Sequence, residues 1–214
     1  MGMLKDSDKA KVREFFANIE QPVKMVMFTQ EIECEYCTMT RELLEELAGL
    51  SDKLSLEVYD FVKDEVLAKQ YAVDKIPATL LLGDKDYGIR FYGVPAGYEF
   101  MTLIEDILDV GKRDPGLPDA IVQALAKVDK PVRMQAMISP TCPYCPQAVR
   151  TAHRFAMVSD FITGDMVEVT EFPHLAMKYN VQGVPNTIIN ETHSLVGGQP
   201  EREFLKVVLQ SIGK

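Results

Sequence analysis

The sequence predicts an α/β protein of two tandem domains, each a central mixed β-sheet flanked by helices. Three observations carry this expectation: the length, an internal repeat, and the order of apolar patterns inside each copy. At 214 residues the chain is long for one minimal domain and comfortable for two of about 100 residues each. A shift of 108 residues, which carries Cys34 onto Cys142, also superposes Tyr36 on Tyr144, Cys37 on Cys145, Leu67 on Leu175 and Ala68 on Ala176. It further carries Tyr71 onto Tyr179, Val73 onto Val181, Pro77 onto Pro185 and Thr79 onto Thr187. Ungapped agreement over that span implies two copies of one fold. The junction falls in Lys112–Pro118, where two prolines and a glycine end one helical pattern before another begins. The expected domains are 1–116 and 117–214, divided near Gly116.

Within each copy the patterns follow one order. Leading helices are expected at Asp6–Ile19 and Asp119–Val128. Val23–Thr29 and Val132–Ile138 are apolar and strand-length, each just behind a proline, Pro22 or Pro131. A cysteine pair follows each strand. Leu43, Leu44, Leu47 and Leu50 then keep a three-and-four spacing, as do Ala148, Val149, Ala152, Phe155 and Ala156, so each cysteine motif stands where a helix begins. Strands are expected at Leu54–Tyr59 and Asp165–Thr170, then short helices ending near Tyr71 and Tyr179. Ala78–Leu82 and Thr187–Ile189 lead through Gly83-Asp84 and Asn190-Glu191 turns into hairpins. Amphipathic helices at Phe100–Val110 and Glu203–Ile212 close the copies.

Composition narrows the function. Hydrophobic residues make up 47% and charged residues 26%, which is globular and excludes a largely disordered chain. No stretch approaches the roughly 20 apolar residues of a membrane span. The charged opening Met1–Lys11 is not followed by a secretory apolar block, so a cytoplasmic location is expected. A net charge of -9 argues against nucleic acid and anionic membranes, because no basic cluster exists to displace counterions.

The chemistry lies in the only four cysteines, Cys34 with Cys37 and Cys142 with Cys145. Close pairs of this kind read as redox centres or metal knuckles, and spacing alone does not choose between them. One tetrahedral zinc site shared by the pairs therefore stays open. Purely structural disulfides are disfavoured, since two-residue loops restrict an unfolded chain little. Each pair at a helix start favours redox. Disulfide exchange needs an attacking thiolate and a second thiol in reach, and the first cysteine meets the positive end of the helix dipole. Cys34 and Cys142 are thus the expected nucleophiles, and Cys37 and Cys145 the resolving residues.

The Cys142-Pro143-Tyr144-Cys145 motif, with Val184-Pro185 downstream, resembles the glutaredoxin and thioredoxin superfamily. The tandem arrangement, with the segments Gly83–Arg90 and Gly93–Gly97, resembles the protein disulfide oxidoreductase family of thermophilic archaea and bacteria over nearly the whole chain. The resemblance implies two thioredoxin-like domains with cis bonds at Pro77 and Pro185. It implies that Ile76 and Val184 offer main-chain hydrogen bonds to an extended substrate segment. It further implies reductase and oxidase chemistry on protein thiols and disulfides, with isomerisation as an additional expected activity, and without a bound cofactor or metal. A thioredoxin-reductase-like flavoenzyme is the implied electron donor, with a peroxiredoxin as a further candidate partner. The competing readings are an electron-transfer module of a peroxide-reducing system and a zinc-binding interaction protein.

The two sites are not equivalent. Glu31, Glu33 and Glu35 surround the first pair, whereas Thr141, Pro143 and Pro146 surround the second. Neighbouring carboxylates disfavour a thiolate, so Cys142 is expected to be the readier nucleophile. Pro143 and Pro146 suit a first helical turn. His153, His174 and His193 share no offset and are expected in surface or satisfied-core roles. Met25, Met27, Met134 and Met137 are expected core fillers. Glu57 and Glu168 stand in expected strands, where a carboxylate relay and a plain surface position both remain open.

Overall fold

The computed structural model describes residues 2–214. The first half runs α1 (Asp6–Phe16), β1 (Val23–Thr29), α2 (Cys37–Ala48), β2 (Leu54–Asp60), α3 (Glu65–Gln70), β3 (Ala78–Leu82), β4 (Asp86–Tyr92) and α4 (Glu99–Lys112). The second half repeats that order as α5 (Asp119–Leu125), β5 (Val132–Ile138), α6 (Cys145–Val158), β6 (Ile162–Glu168), α7 (Pro173–Lys178), β7 (Asn186–Ile189), β8 (His193–Val196) and α8 (Glu201–Ser211). Both expected thioredoxin-like halves are present, each with parallel β1–β2 or β5–β6 pairing beside an antiparallel hairpin.

The halves share one sheet, in the order β2-β1-β3-β4-β6-β5-β7-β8. Strand β4 runs parallel to β6, from Ile89 opposite Gly164 to Tyr92 opposite Val167. Each half alone would present this strand as an open edge, and mutual pairing satisfies both. The larger core packs α1, α2, α4, α5, α6 and α8 on one face, around Leu44, Leu47, Phe91, Ile104, Phe155 and Phe204. A smaller cluster, with Ala68, Tyr92 and Phe172, lies under α3 and α7 on the other. Met25, Met27, Met134 and Met137 are all buried in it or its larger counterpart.

Strand β6 begins three residues before its expected position and ends two residues earlier, at Glu168. Glycine weakens a strand reading, yet Gly164 is required here: a Cβ would lie 2.6 Å from the Ala152 carbonyl oxygen of α6. The ladder stops at Glu168 because its carboxylate accepts the Thr170 and Glu171 amides, at 3.2 and 2.8 Å, and turns the chain. The leading helices are shorter than their patterns. Asn18 folds its side-chain amide onto the Glu14 and Phe15 carbonyls, ending α1 before Ile19.

Candidate redox site

The sheet register puts each cysteine motif and its proline at one end of the strands. Phe28 pairs with Ala78 and Met137 with Asn186, so Pro77 and Pro185 stand opposite the strand ends that lead into the cysteine turns. Both Ile76-Pro77 and Val184-Pro185 bonds are cis. Pro77 and Pro185 are buried, while Ile76 and Val184 are half-exposed. Among the described residues, the Ile76 and Val184 amides have no internal backbone partner. The carbonyl of each proline is held in the same way, by Gly93 at 3.0 Å and by Gly197 at 2.8 Å.

Each pair is closed as a disulfide, Cys34–Cys37 with Cα atoms 5.4 Å apart and Cys142–Cys145 with Cα atoms 5.5 Å apart. The second cysteine starts the helix and is the deeper one, 1% exposed at Cys37 and 0% at Cys145. Neither helix N-terminus is capped by a side chain, and neither first turn holds an acid. Its unpaired amides and positive dipole end are therefore left to stabilise a thiolate at the first cysteine. The tyrosines between the cysteines differ: Tyr36 packs partly on the core, whereas Tyr144 is 69% exposed.

Two glutamates with no distinguishing motif in the sequence carry buried carboxyl oxygens where the halves meet, Glu99 on α4 and Glu171 after β6. Glu99 opens α4 and is 0% exposed, with both carboxyl oxygens buried and without a hydrogen-bond partner. Asp106 of α4 meets Arg150 and His153 of α6, and Asp109 meets Arg150 and Arg154, so the helices run side by side in one direction. Glu99 thus lies at the level where α6 begins with Cys145. Burial, reinforced by Asp106, pushes its carboxyl up to about 7. Its signal in the sequence was an acid sharing the face of Leu103 and Asp106 on an otherwise apolar helix side.

Glu171 follows β6 in the second half, yet its Oε1 accepts the Val94 amide of the first half at 2.7 Å. Its Oε2 is buried without a partner. Burial pushes this carboxyl up to about 7, and the Glu168 and Glu35 charges act in the same sense. Glu35, burial and Glu171 together raise the Tyr36 phenol. The first motif is thus the more acidic one, as its flanking residues suggested.

The remaining candidates take structural places. Glu57 pairs with Lys24 at 2.6 Å on the outer strand β2, and Glu168 caps a turn. His153 is a satisfied core residue between Asp106 Oδ2, at 2.6 Å, and the Arg90 carbonyl, at 3.2 Å. Among the described residues no cluster of three or more His, Cys, Asp or Glu could hold a metal ion, and no helix is long and apolar enough to cross a membrane.

A doubled thioredoxin fold with a cysteine pair at each helix start and a cis-proline beside it defines a dithiol–disulfide oxidoreductase. A thioredoxin-domain model matches residues 132–210. The protein disulfide oxidoreductase of Aeropyrum pernix is 32% identical in structure-based comparison, with a TM-score of 0.91 covering 97% of this chain and 93% of that one. The chain belongs to the protein disulfide oxidoreductase family. Its fold is also that of the alkylhydroperoxide reductase AhpF of Enterococcus faecalis, 24% identical with a TM-score of 0.88 over 96% of this chain and 99% of that one. In sequence it is similar to a Bacillus subtilis NADH dehydrogenase, 23% identical over 85% of this chain, and to an alkyl hydroperoxide reductase protein of Staphylococcus aureus, 24% identical over 81%. The chain spans about one third of the length of these two relatives, 33% and 34%.

Proposed function

We propose that the chain exchanges disulfides with protein substrates at both cysteine pairs, using two units divided near Gly116. In the reducing direction the Cys34 or Cys142 thiolate attacks a substrate disulfide, and one substrate sulfur leaves as thiolate. Cys37 or Cys145 then attacks the mixed disulfide. The second substrate thiol leaves and the intramolecular disulfide forms, so two electrons pass to the substrate. The reverse sequence oxidises a dithiol. An extended substrate segment adds along Ile76-Pro77 or Val184-Pro185, where the half-exposed Ile76 and Val184 with their free amides support strand addition.

At the second site Glu99 takes the Cys145 proton, directly or through one water. A carboxyl near neutrality suits that transfer in both directions. The single observation that carries the reading is the same arrangement built twice: an uncapped helix start, a cysteine pair and a cis-proline. A cytoplasmic setting and recharging by a thioredoxin-reductase-like flavoenzyme belong to the same proposal.

The test is insulin reduction, run beside refolding of a reduced client, for the Cys34→Ser/Cys37→Ser and Cys142→Ser/Cys145→Ser variants. Each variant should retain turnover through its intact pair, with more of it carried by Cys142–Cys145. Loss of all turnover on removing either pair would show one composite site instead. Stoichiometric zinc in a protein without turnover would favour the metal reading.

The hydroperoxide reductase relatives favour a second reading, in which the chain relays electrons from a flavoenzyme to a peroxiredoxin. Two complete cysteine pairs fit substrate exchange better than a one-way relay. Peroxide consumption with a peroxiredoxin, and no insulin reduction, would reverse that preference.

A further inference from the structure

The first redox motif is not built by the first half alone. Its cis-Pro77 carbonyl is held by the Gly93 amide, and the next amide, Val94, is held by Glu171 of the second half. Gly93 has φ +97°, and a Cβ there would lie 2.8 Å from the Glu168 Cβ and 2.9 Å from the Glu171 carboxyl. Only glycine allows so close an approach. The Glu171 carboxyl also lies near enough to the Glu35-Tyr36 dipeptide between the cysteines for the charges to influence one another.

We propose that Glu171 is a positioning residue of the first redox site, supplied by the second unit: it fixes the Gly93-Val94 strap that holds cis-Pro77 and sets the charge felt at Cys34. The charged and titratable groups facing it are Glu35 and Tyr36 from the turn before α2, and Glu168 from the end of β6. No cation is among them, and Gly93 and Val94 carry no charge. A negative Glu171 therefore disfavours the Cys34 thiolate, and a protonated Glu171 does not. Its carboxyl is pushed up to about 7, so this brake is released as pH falls through neutrality. The first site then differs from the second in pH response as well as in flanking charge.

The inference rests on Cys34 being the nucleophile, and the experiment separates the two. In the reduced Cys142→Ser/Cys145→Ser protein, iodoacetamide alkylation is followed from pH 5.5 to 8.5, with the first-labelled cysteine located by mass spectrometry. Glu171→Gln keeps an oxygen for the Val94 amide while removing the charge. Its rate should match that of Glu171 at pH 5.5 and exceed it by about threefold at pH 8, the effect of a half-unit shift in thiol pKa. Glu171→Asp should restore the Glu171 profile, which a purely structural role would not require. A rate ratio independent of pH overturns the role of Glu171, whichever cysteine is labelled. First labelling at Cys37 instead overturns the nucleophile assignment, while the pH ratio still decides on Glu171.

Discussion

The Tyr98 amide of the first half donates to the Pro140 carbonyl of the second at 3.1 Å, so the turn that starts α4 rests on the turn that presents Cys142. The same strap begins at Gly93, whose amide holds Pro77. One short segment thus touches both redox motifs.

Gly97 lies in the strap with φ +60°, and a Cβ there would be driven into the Pro140 carbonyl. Left-handed backbone costs an alanine about 1 kcal/mol before that collision is counted. Gly97→Ala should therefore slow turnover at Cys142–Cys145 several-fold while sparing Cys34–Cys37. Insulin reduction by single-pair variants measures this, and an equal loss at both pairs would show general destabilisation instead.

The proton-transfer role proposed for Glu99 has a counterpart in stability. Its carboxyl titrates near 4.5 when unfolded and about 7 when folded, so the native state holds the proton more tightly. Its contribution is fully present below pH 4.5 and is lost as pH rises through about 7. Glu99→Gln removes that slope and should stabilise the protein at pH 8 by on the order of 2 kcal/mol. The same change should slow resolution by Cys145 about tenfold or more, letting mixed disulfide accumulate. Urea unfolding across pH and acid-quench trapping read the two effects separately; a faster resolving step would exclude Glu99 as proton acceptor.

Arg150 joins the halves, pairing with Asp106 and with Asp109 and Glu105 at 2.8 and 3.1 Å. Its side chain is 10% exposed and that of Asp106 only 2%. Arg150→Ala leaves Asp106 buried with His153 as its remaining side-chain partner, and should cost about 3 kcal/mol in denaturant unfolding. A loss below about 0.5 kcal/mol would show that solvent already screens the cluster.

Tyr144 is exposed where Tyr36 packs on the core. Tyr144→Ala should leave unfolding free energy within about 0.5 kcal/mol and raise KM for a protein disulfide, the behaviour of a substrate contact. Tyr36→Ala should instead destabilise by about 1–2 kcal/mol. Unchanged KM for Tyr144→Ala would assign that ring no part in binding.

Much of the molecule was legible in the chain itself. The repeat offset located both cysteine pairs and both prolines, and β1, β3 and β5 fall where their apolar runs end. Such features are local: the period of a strand, a helix start and a two-residue spacing depend on neighbouring residues. Strand β6 lies earlier in the chain than its local pattern suggests because Gly164 answers to Ala152 of a helix packed above it, not to its own neighbours.

The sequence by itself determined the doubled fold, the two dithiols and the repeated X-Pro bond downstream of each, because each is encoded within a few dozen contiguous residues. Only the tertiary structure decided that β4 and β6 fuse the copies into one sheet, that Glu171 crosses to hold Val94 of the other half, and that Glu99 is buried on α4 beside α6. Burial is what gives those carboxyls pKa values of about 7, and burial belongs to packing between segments distant in the chain.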